Sequence, residues 1–210
     1  MRTGNKKYFA NKYRIPSARL SNWDYGWNAS YFVTICTALR ICYYGKIVNE
    51  KMQLSEIGEI VENEWVETFK IRSDMNLQMG KYVVMPNHFH AIITIGENEY
   101  NTKNGTERGM GLKTERAMGC GTDRRDAMHR VSITTKNQFG PQTKNLASII
   151  RGFKSAVTIN ARKINTNFAW QSRFHDHVIR DENEYQRIQQ YIINNPKKWA
   201  DDKFNHSDDT

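Results

Sequence analysis

Cysteine is scarce in this chain: there are three, Cys36, Cys42 and Cys120. None forms a C-x-x-C pair, so a zinc knuckle or a disulfide framework is excluded, and the thiols read as reduced groups of a cytoplasmic protein. Long apolar runs are missing as well. No window approaches the ~18 consecutive apolar residues of a membrane span, so no membrane partner is expected. The basic start, Met1-Arg2-Thr3-Gly4-Asn5-Lys6-Lys7, is not followed by an apolar core and does not read as a secretory signal. No G-x-x-x-x-G-K-[ST] loop is present, so nothing points to a nucleoside triphosphate. Acidic residues are in deficit: 22 Asp and Glu stand against 31 Lys and Arg, a net charge of +9 with a pI near 9.5. That balance favours a polyanionic partner, nucleic acid above all, and salt-sensitive binding.

What is present suffices for one domain with a real core or one small domain plus arms: 210 residues, 39% hydrophobic, at a mean hydropathy of −0.74. Residues 1–30 interleave cations and rings (Lys12, Tyr13, Arg14, Arg19, Trp23, Tyr25, Trp27). Such an arm either holds single-stranded nucleic acid, phosphates on cations and bases on rings, or packs its rings onto the domain. Residues 31–36 read as a strand buried on both sides. Residues 54–70 carry Leu54, Ile57, Val61, Trp65 and Phe69 at helical spacing, with Ser55 as N-cap. Residues 77–84 form a second strand, broken at Met85-Pro86-Asn87 before a third. Residues 98–143 lack apolar period and form a basic insertion, expected to be a mobile, solvated loop. A helix over 146–163 buries Leu146, Ile149, Ile150, Phe153, Val157 and Ala161. Its flank carries Arg151 and Lys154, which either contact phosphates or snorkel into solvent. Residues 177–179 make a fourth strand. Asp181 and Glu184 then set a capping box for a last helix, with Tyr185, Ile188 and Ile192 as its stripe and Pro196 as its stop. The tail, 201–210, is polar and expected to fray.

The order strand, helix, strand, strand, helix, strand, helix fits an α+β class: a ferredoxin-like βαββαβ sandwich. It has an antiparallel four-stranded sheet with two helices on one face, and a C-terminal helix follows. The domain would span 31–200, interrupted by the insertion.

Two stretches carry chemistry. In Met85-Pro86-Asn87-His88-Phe89-His90-Ala91-Ile92-Ile93-Thr94-Ile95 a strand puts Phe89, Ala91, Ile93 and Ile95 on one face and His88 and His90 on the other. Two imidazoles side by side can hold one metal ion, although paired histidines on a strand also occur as surface or hydrogen-bonded core groups. The open sheet face is where they are expected. On the last helix, Arg187 and Asn195 flank Tyr191 at i−4 and i+4. A phenol beside a cation is a candidate nucleophile, because the cation favours the phenolate, and an amide oxygen one turn on is a candidate ligand. The competing reading is a tyrosine used for packing. Asn195 precedes Pro196, which biases it away from helical backbone.

Met85-Pro86-Asn87-His88-Phe89-His90 together with Tyr191-Ile192-Ile193-Asn194-Asn195-Pro196 resembles the REP-associated tyrosine transposases, small single-tyrosine enzymes of the HUH endonuclease superfamily. Tyr13-Arg14-Ile15-Pro16-Ser17-Ala18-Arg19-Leu20, Gly152-Phe153-Lys154-Ser155 and Trp170-Gln171-Ser172-Arg173-Phe174-His175-Asp176-His177 extend the likeness over nearly everything except 98–143 and the extreme ends. The resemblance implies a ferredoxin-like fold and Mg²⁺ or Mn²⁺ on His88, His90 and Asn195. It implies Tyr191 as the nucleophile that cuts single-stranded DNA at hairpin sites through a 5′-phosphotyrosine bond and rejoins it. Arg14, Arg19, Arg151, Lys154 and Arg187 are the candidate DNA contacts. A homodimer is compatible with the family, and so is a domesticated, non-catalytic DNA-binding protein that represses at its own site.

Overall fold

A computed structural model describes residue 20 and residues 23–102 and 143–205. The main sheet has four strands: β1 (Ala29–Cys36), β4 (Leu77–Met85), β5 (His88–Ile95) and β6 (His175–Ile179). They lie in the order β4-β5-β1-β6, each antiparallel to its neighbours. The central pair, β1 and β5, is joined to the edge strands β4 and β6, which is the ferredoxin-like topology expected from the element order.

Helices α1 (Glu56–Ile71) and α2 (Leu146–Ile164) cover one face. Ser55 caps α1 by accepting from the Gly58 amide at 3.2 Å. Asn145 and Ser148 cap α2 reciprocally, each side chain taking the other's backbone N–H. Val61 and Trp65 of α1 and Ile149, Phe153 and Val157 of α2 join Tyr31, Val33, Ile35, Phe89, Ala91, Ile93 and Ile95 of the central strands in one core. Trp65 is its hub, edge-on to Phe69, Phe89 and Phe153 at ring distances of 5.1–5.3 Å. Alternation along β5 therefore sends Phe89, Ala91, Ile93 and Ile95 to this core, as the sequence predicts.

The opposite face is not open, as the sequence suggested. Helix α3 (Glu182–Asn194) lies across it and buries Ile188 and Ile192 against Ile92 and Ile179. Asp181 accepts from the Glu184 amide at 2.8 Å, and the Glu184 carboxylate reaches back to the Arg180 amide rather than to Asp181. Contact between α3 and the sheet depends on Gly80, beside an irregularity in the β4–β5 register. A Cβ there would stand 2.7 Å from Ile92 Cβ.

Three further elements escape the sequence pattern. A two-stranded hairpin, β2 (Gly45–Val48) and β3 (Lys51–Leu54), precedes α1, so Leu54 ends a strand and the helix starts two residues later than its apolar spacing suggests. Its two-residue turn is Asn49-Glu50, both at positive φ, and its strands are too short to show a period. Trp23, Tyr25 and Trp27, assigned to an arm, belong to the domain: Tyr25 is buried and stacks on Tyr31 at 5.7 Å. The tail is docked as far as residue 205 rather than frayed.

The stretch that opens the insertion is also ordered. Asn98 donates to the Met75 and Gly96 carbonyls, and buried Asn101 donates to those of Gly26 and Gly96. Asp74 accepts from both Tyr100 and Lys144, and the Lys144 ammonium lies 4.7 Å from the Tyr100 ring centre. Residues on the two sides of 103–142 thus share one anchor.

Candidate active site

His88 and His90 begin β5, and the pairing Cys36↔His88 and Thr34↔His90 sets them beside β1. Their rings are 4.6 Å apart. Both are buried, His88 at 0% and His90 at 2% exposure, because α3, a 3-10 turn over Pro196–Asp201 and residue 204 close over them. Phe204 lies 4.6 Å from the His88 ring and is itself covered by the Arg40 guanidinium at 4.0 Å.

Each imidazole is held at Nδ1. His88 Nδ1 meets Asn87 Oδ1 at 2.9 Å, and His90 Nδ1 meets Thr34 Oγ1 at 2.8 Å. The Nε2 atoms differ. His90 Nε2 is 3.3 Å from the Tyr191 hydroxyl, whereas His88 Nε2 is buried without a hydrogen-bond partner. Asn195 Oδ1 is likewise buried and unpartnered. Asn195 keeps helical backbone, φ −58° and ψ −44°, despite the proline after it. A 3-10 turn continues there, with the Lys198 amide bonded to the Asn195 carbonyl at 3.1 Å, and this holds the side chain inward. Its amide acts on the titration of both His88 and Tyr191. It faces His88 without closing a hydrogen bond of normal geometry, since neither Oδ1 nor Nε2 has a partner.

Burial dominates the electrostatics. It pushes the His88 pKa well below the usual imidazole range, helped by His90 and Arg40. It also takes His90 down to about 3, helped by Lys203 and His175. Both rings are therefore neutral near pH 7 and offer lone pairs, the state metal ligation requires. Burial, then Asp202, raises Tyr191, while Asn195 opposes the rise. The expected activation by Arg187 is not realised: its guanidinium pairs with Glu184 at 3.2 Å. A phenol raised in pKa needs another cation to become a nucleophile at neutral pH.

The donor set fits a divalent cation. Two neutral imidazoles and an amide oxygen converge, and two buried atoms, His88 Nε2 and Asn195 Oδ1, lack any partner. Buried polar atoms are paired in the great majority of cases, and a cation held between these two atoms would satisfy both. Half-exposed Tyr191 stands at the rim, edge-on to Phe32 and His90. It borders a cleft of 590 Å³ whose charged lining is Arg187, Lys198 and Lys203 with the carboxylates Asp201 and Asp202.

The remaining candidates divide. Arg14 and Arg19 lie outside the described residues. Lys154 bonds the Gln171 and Arg173 carbonyls at 2.9 and 3.2 Å and so fastens the loop before β6. Arg151 is exposed on α2, on the face of the sheet opposite Tyr191. Thr34, Asn87 and Phe204 were not foreseen as site residues. Thr34 was within reach of sequence reasoning, since it lies on the strand expected beside the histidines. Phe204 gave no signal.

No family model matches the chain. An uncharacterized protein of Haemophilus influenzae is 32% identical over 198 residues, spanning 94% of this chain and 96% of that protein. The chain belongs to the family of that protein. Among solved structures, a REP-associated tyrosine transposase bound to a REP hairpin superposes with a TM-score of 0.50, at 17% identity, over 88% of this chain and 74% of that one. The family member described above thus has the fold of a REP-associated tyrosine transposase, in agreement with the resemblance carried by its histidine and tyrosine motifs. None of its described helices is long and apolar enough to cross a membrane.

Proposed function

We propose that the chain is a metal-dependent, single-tyrosine transposase that cuts and rejoins single-stranded DNA beside hairpins. One observation carries this reading: His88 Nε2 and Asn195 Oδ1, buried and unpartnered, lie beside the only phenol that reaches His90 among the described residues. The transposase fold and both motif blocks support it.

A divalent cation, Mg²⁺ or Mn²⁺, held by His88, His90 and Asn195 would polarise the scissile phosphate and stabilise charge built up in the transition state. Nitrogen ligands suit Mn²⁺ better than Mg²⁺. The chain's own groups do the rest. Tyr191 Oη gives up its proton to solvent and attacks phosphorus, the P–O3′ bond breaks, and the departing oxygen takes a proton from solvent to leave a 3′-hydroxyl. The 5′ phosphate stays on the tyrosine. A second 3′-hydroxyl reverses the step, so no external energy source is required. His90 Nε2 cannot both accept the phenol proton and serve as a ligand, so the 3.3 Å contact marks the resting arrangement. The cations Lys198 and Lys203 beside Tyr191 suit a phosphate backbone.

The test mixes the full chain with Mn²⁺ or Mg²⁺ and labelled single-stranded hairpin oligonucleotides drawn from the DNA next to its gene. The expected result is a protein–DNA adduct on the 5′ side of a cut, lost in Tyr191→Phe with hairpin binding retained. Hairpin binding with no adduct under any metal or sequence would overturn it in favour of a non-catalytic DNA-binding protein.

A further inference from the structure

Asn87 precedes His88 and meets its ring. It is 1% exposed and bonded at both ends of its amide. Nδ2 donates to the Arg40 carbonyl at 3.0 Å and to the Phe204 carbonyl at 2.8 Å. Oδ1 faces His88 Nδ1 at 2.9 Å. Its main-chain carbonyl accepts from the Thr37 amide at 3.0 Å and lies 3.0 Å from the Thr37 hydroxyl, which also reaches the Ile41 carbonyl at 2.8 Å, so the backbone is anchored here.

An asparagine amide can usually be turned end for end with little penalty, and the choice is made from its partners. Here the partners decide. Carbonyl oxygens only accept, so the end facing Arg40 and Phe204 must be the NH₂ group. Turning the amide over would set its oxygen against two carbonyl oxygens and its NH₂ against the imidazole. Oδ1 can only accept, so His88 Nδ1 must carry the proton. A neutral imidazole has one such proton, which leaves the buried Nε2, next to the Asn195 side chain, with a bare lone pair.

We infer that Asn87 is the positioning residue that holds His88 in the Nδ1–H tautomer, keeping its Nε2 lone pair ready for a metal ion. Thr34 cannot do the same for His90, because a hydroxyl both donates and accepts and follows whichever tautomer the ring adopts. Control is therefore unequal. His88 is preset by a locked amide, while His90 is free to alternate between Tyr191 and a ligand role. Asn87 also joins the histidine to two separate segments, the turn at Arg40 and the tail at Phe204, so the docking of both bears on the ring's orientation. Outer partners of this kind typically change metal affinity 10–100-fold when removed.

This inference deepens the metal reading proposed above, but its first readout needs neither metal nor DNA. The full chain, labelled with ¹⁵N-histidine and freed of metal by chelation, is examined by long-range ¹H–¹⁵N correlation at pH 7, with His88→Ala used to assign the signals. The expected spectrum shows His88 protonated at Nδ1. In Asn87→Ala that preference is lost, and Mn²⁺ affinity, read from the EPR signal of the free ion, falls about 10–100-fold. His88 protonated at Nε2 in the unaltered chain overturns the inference, and this result does not depend on whether any variant folds. An Asn87→Ala chain that keeps both the tautomer and the affinity also overturns it. If His88 is Nδ1–H but Mn²⁺ binds nowhere in the unaltered chain, the tautomer assignment stands and the metal-dependent function falls.

Discussion

Acid should loosen this fold through its two buried histidines before most carboxylates titrate. His90 is neutral in the folded chain, with a pKa lowered by burial from 6.5 to about 3. Once unfolded it takes a proton near its ordinary value. Between those limits the unfolded chain binds more protons, so stability is complete above pH 6.5 and is lost as the pH falls toward 3. From pH 7 to pH 5, His90 alone should remove roughly 2 kcal/mol, and His88, displaced in the same direction, adds to it. Native domains have only about 5–15 kcal/mol in hand, so the loss is a substantial fraction. Urea unfolding at pH 7, 6 and 5 measures it, with chelator present because a bound metal also prefers neutral rings. His90→Gln removes the titrating group and should flatten the dependence by about 2 kcal/mol over this interval. Equal slopes for the two chains would refute the buried, neutral state of His90 and the lone-pair argument built on it.

Two expectations concern the scaffold, each read as a change in unfolding free energy from urea titration. Trp65→Ala should cost about 3–5 kcal/mol, and Trp65→Phe less, because the smaller ring still fills most of the site and the indole N–H has no partner to lose. Gly80→Ala should cost roughly 1–3 kcal/mol, since the new Cβ meets Ile92 across the sheet surface on which α3 rests.

The parts of the fold legible in the sequence are those with a long period. The six-residue stripe of α2 is buried as its spacing predicts, and both Ser55 and Asp181 cap the helices they precede. Alternation along β5 identified which side chains face α1 and α2. It could not say what covers the other face, since that depends on where a later helix returns. His88 and His90 were therefore placed in the open, although they are buried. The β2–β3 hairpin was missed because two four-residue strands carry too little pattern. The proline rule was misleading at Asn195, where a 3-10 turn absorbs the proline and keeps the backbone helical. Arg187 was a fair candidate to activate Tyr191 by spacing, but Glu184 lies on the same helix face at i−3 and claims it. Thr34 could have been found from the expected pairing of the two central strands, whereas Asn87 became visible as a partner of His88 only once the Arg40 and Phe204 segments were fixed in space.

The anchor at Asp74 has a consequence for the chain's modularity. Tyr100 and Lys144 meet on one carboxylate, so the path that departs after residue 102 resumes beside its point of departure. The closure that an excursion needs is supplied by the body of the domain. The entropic charge for bringing two ends of a flexible chain together grows as about (3/2)RT ln n, and here the two flanks are held together by groups of the domain itself. The histidines and tyrosine are positioned by strands and helices outside that span. This doorway ties both flanks of 103–142 to the body of the domain, apart from the register of β5 and the seat of α3.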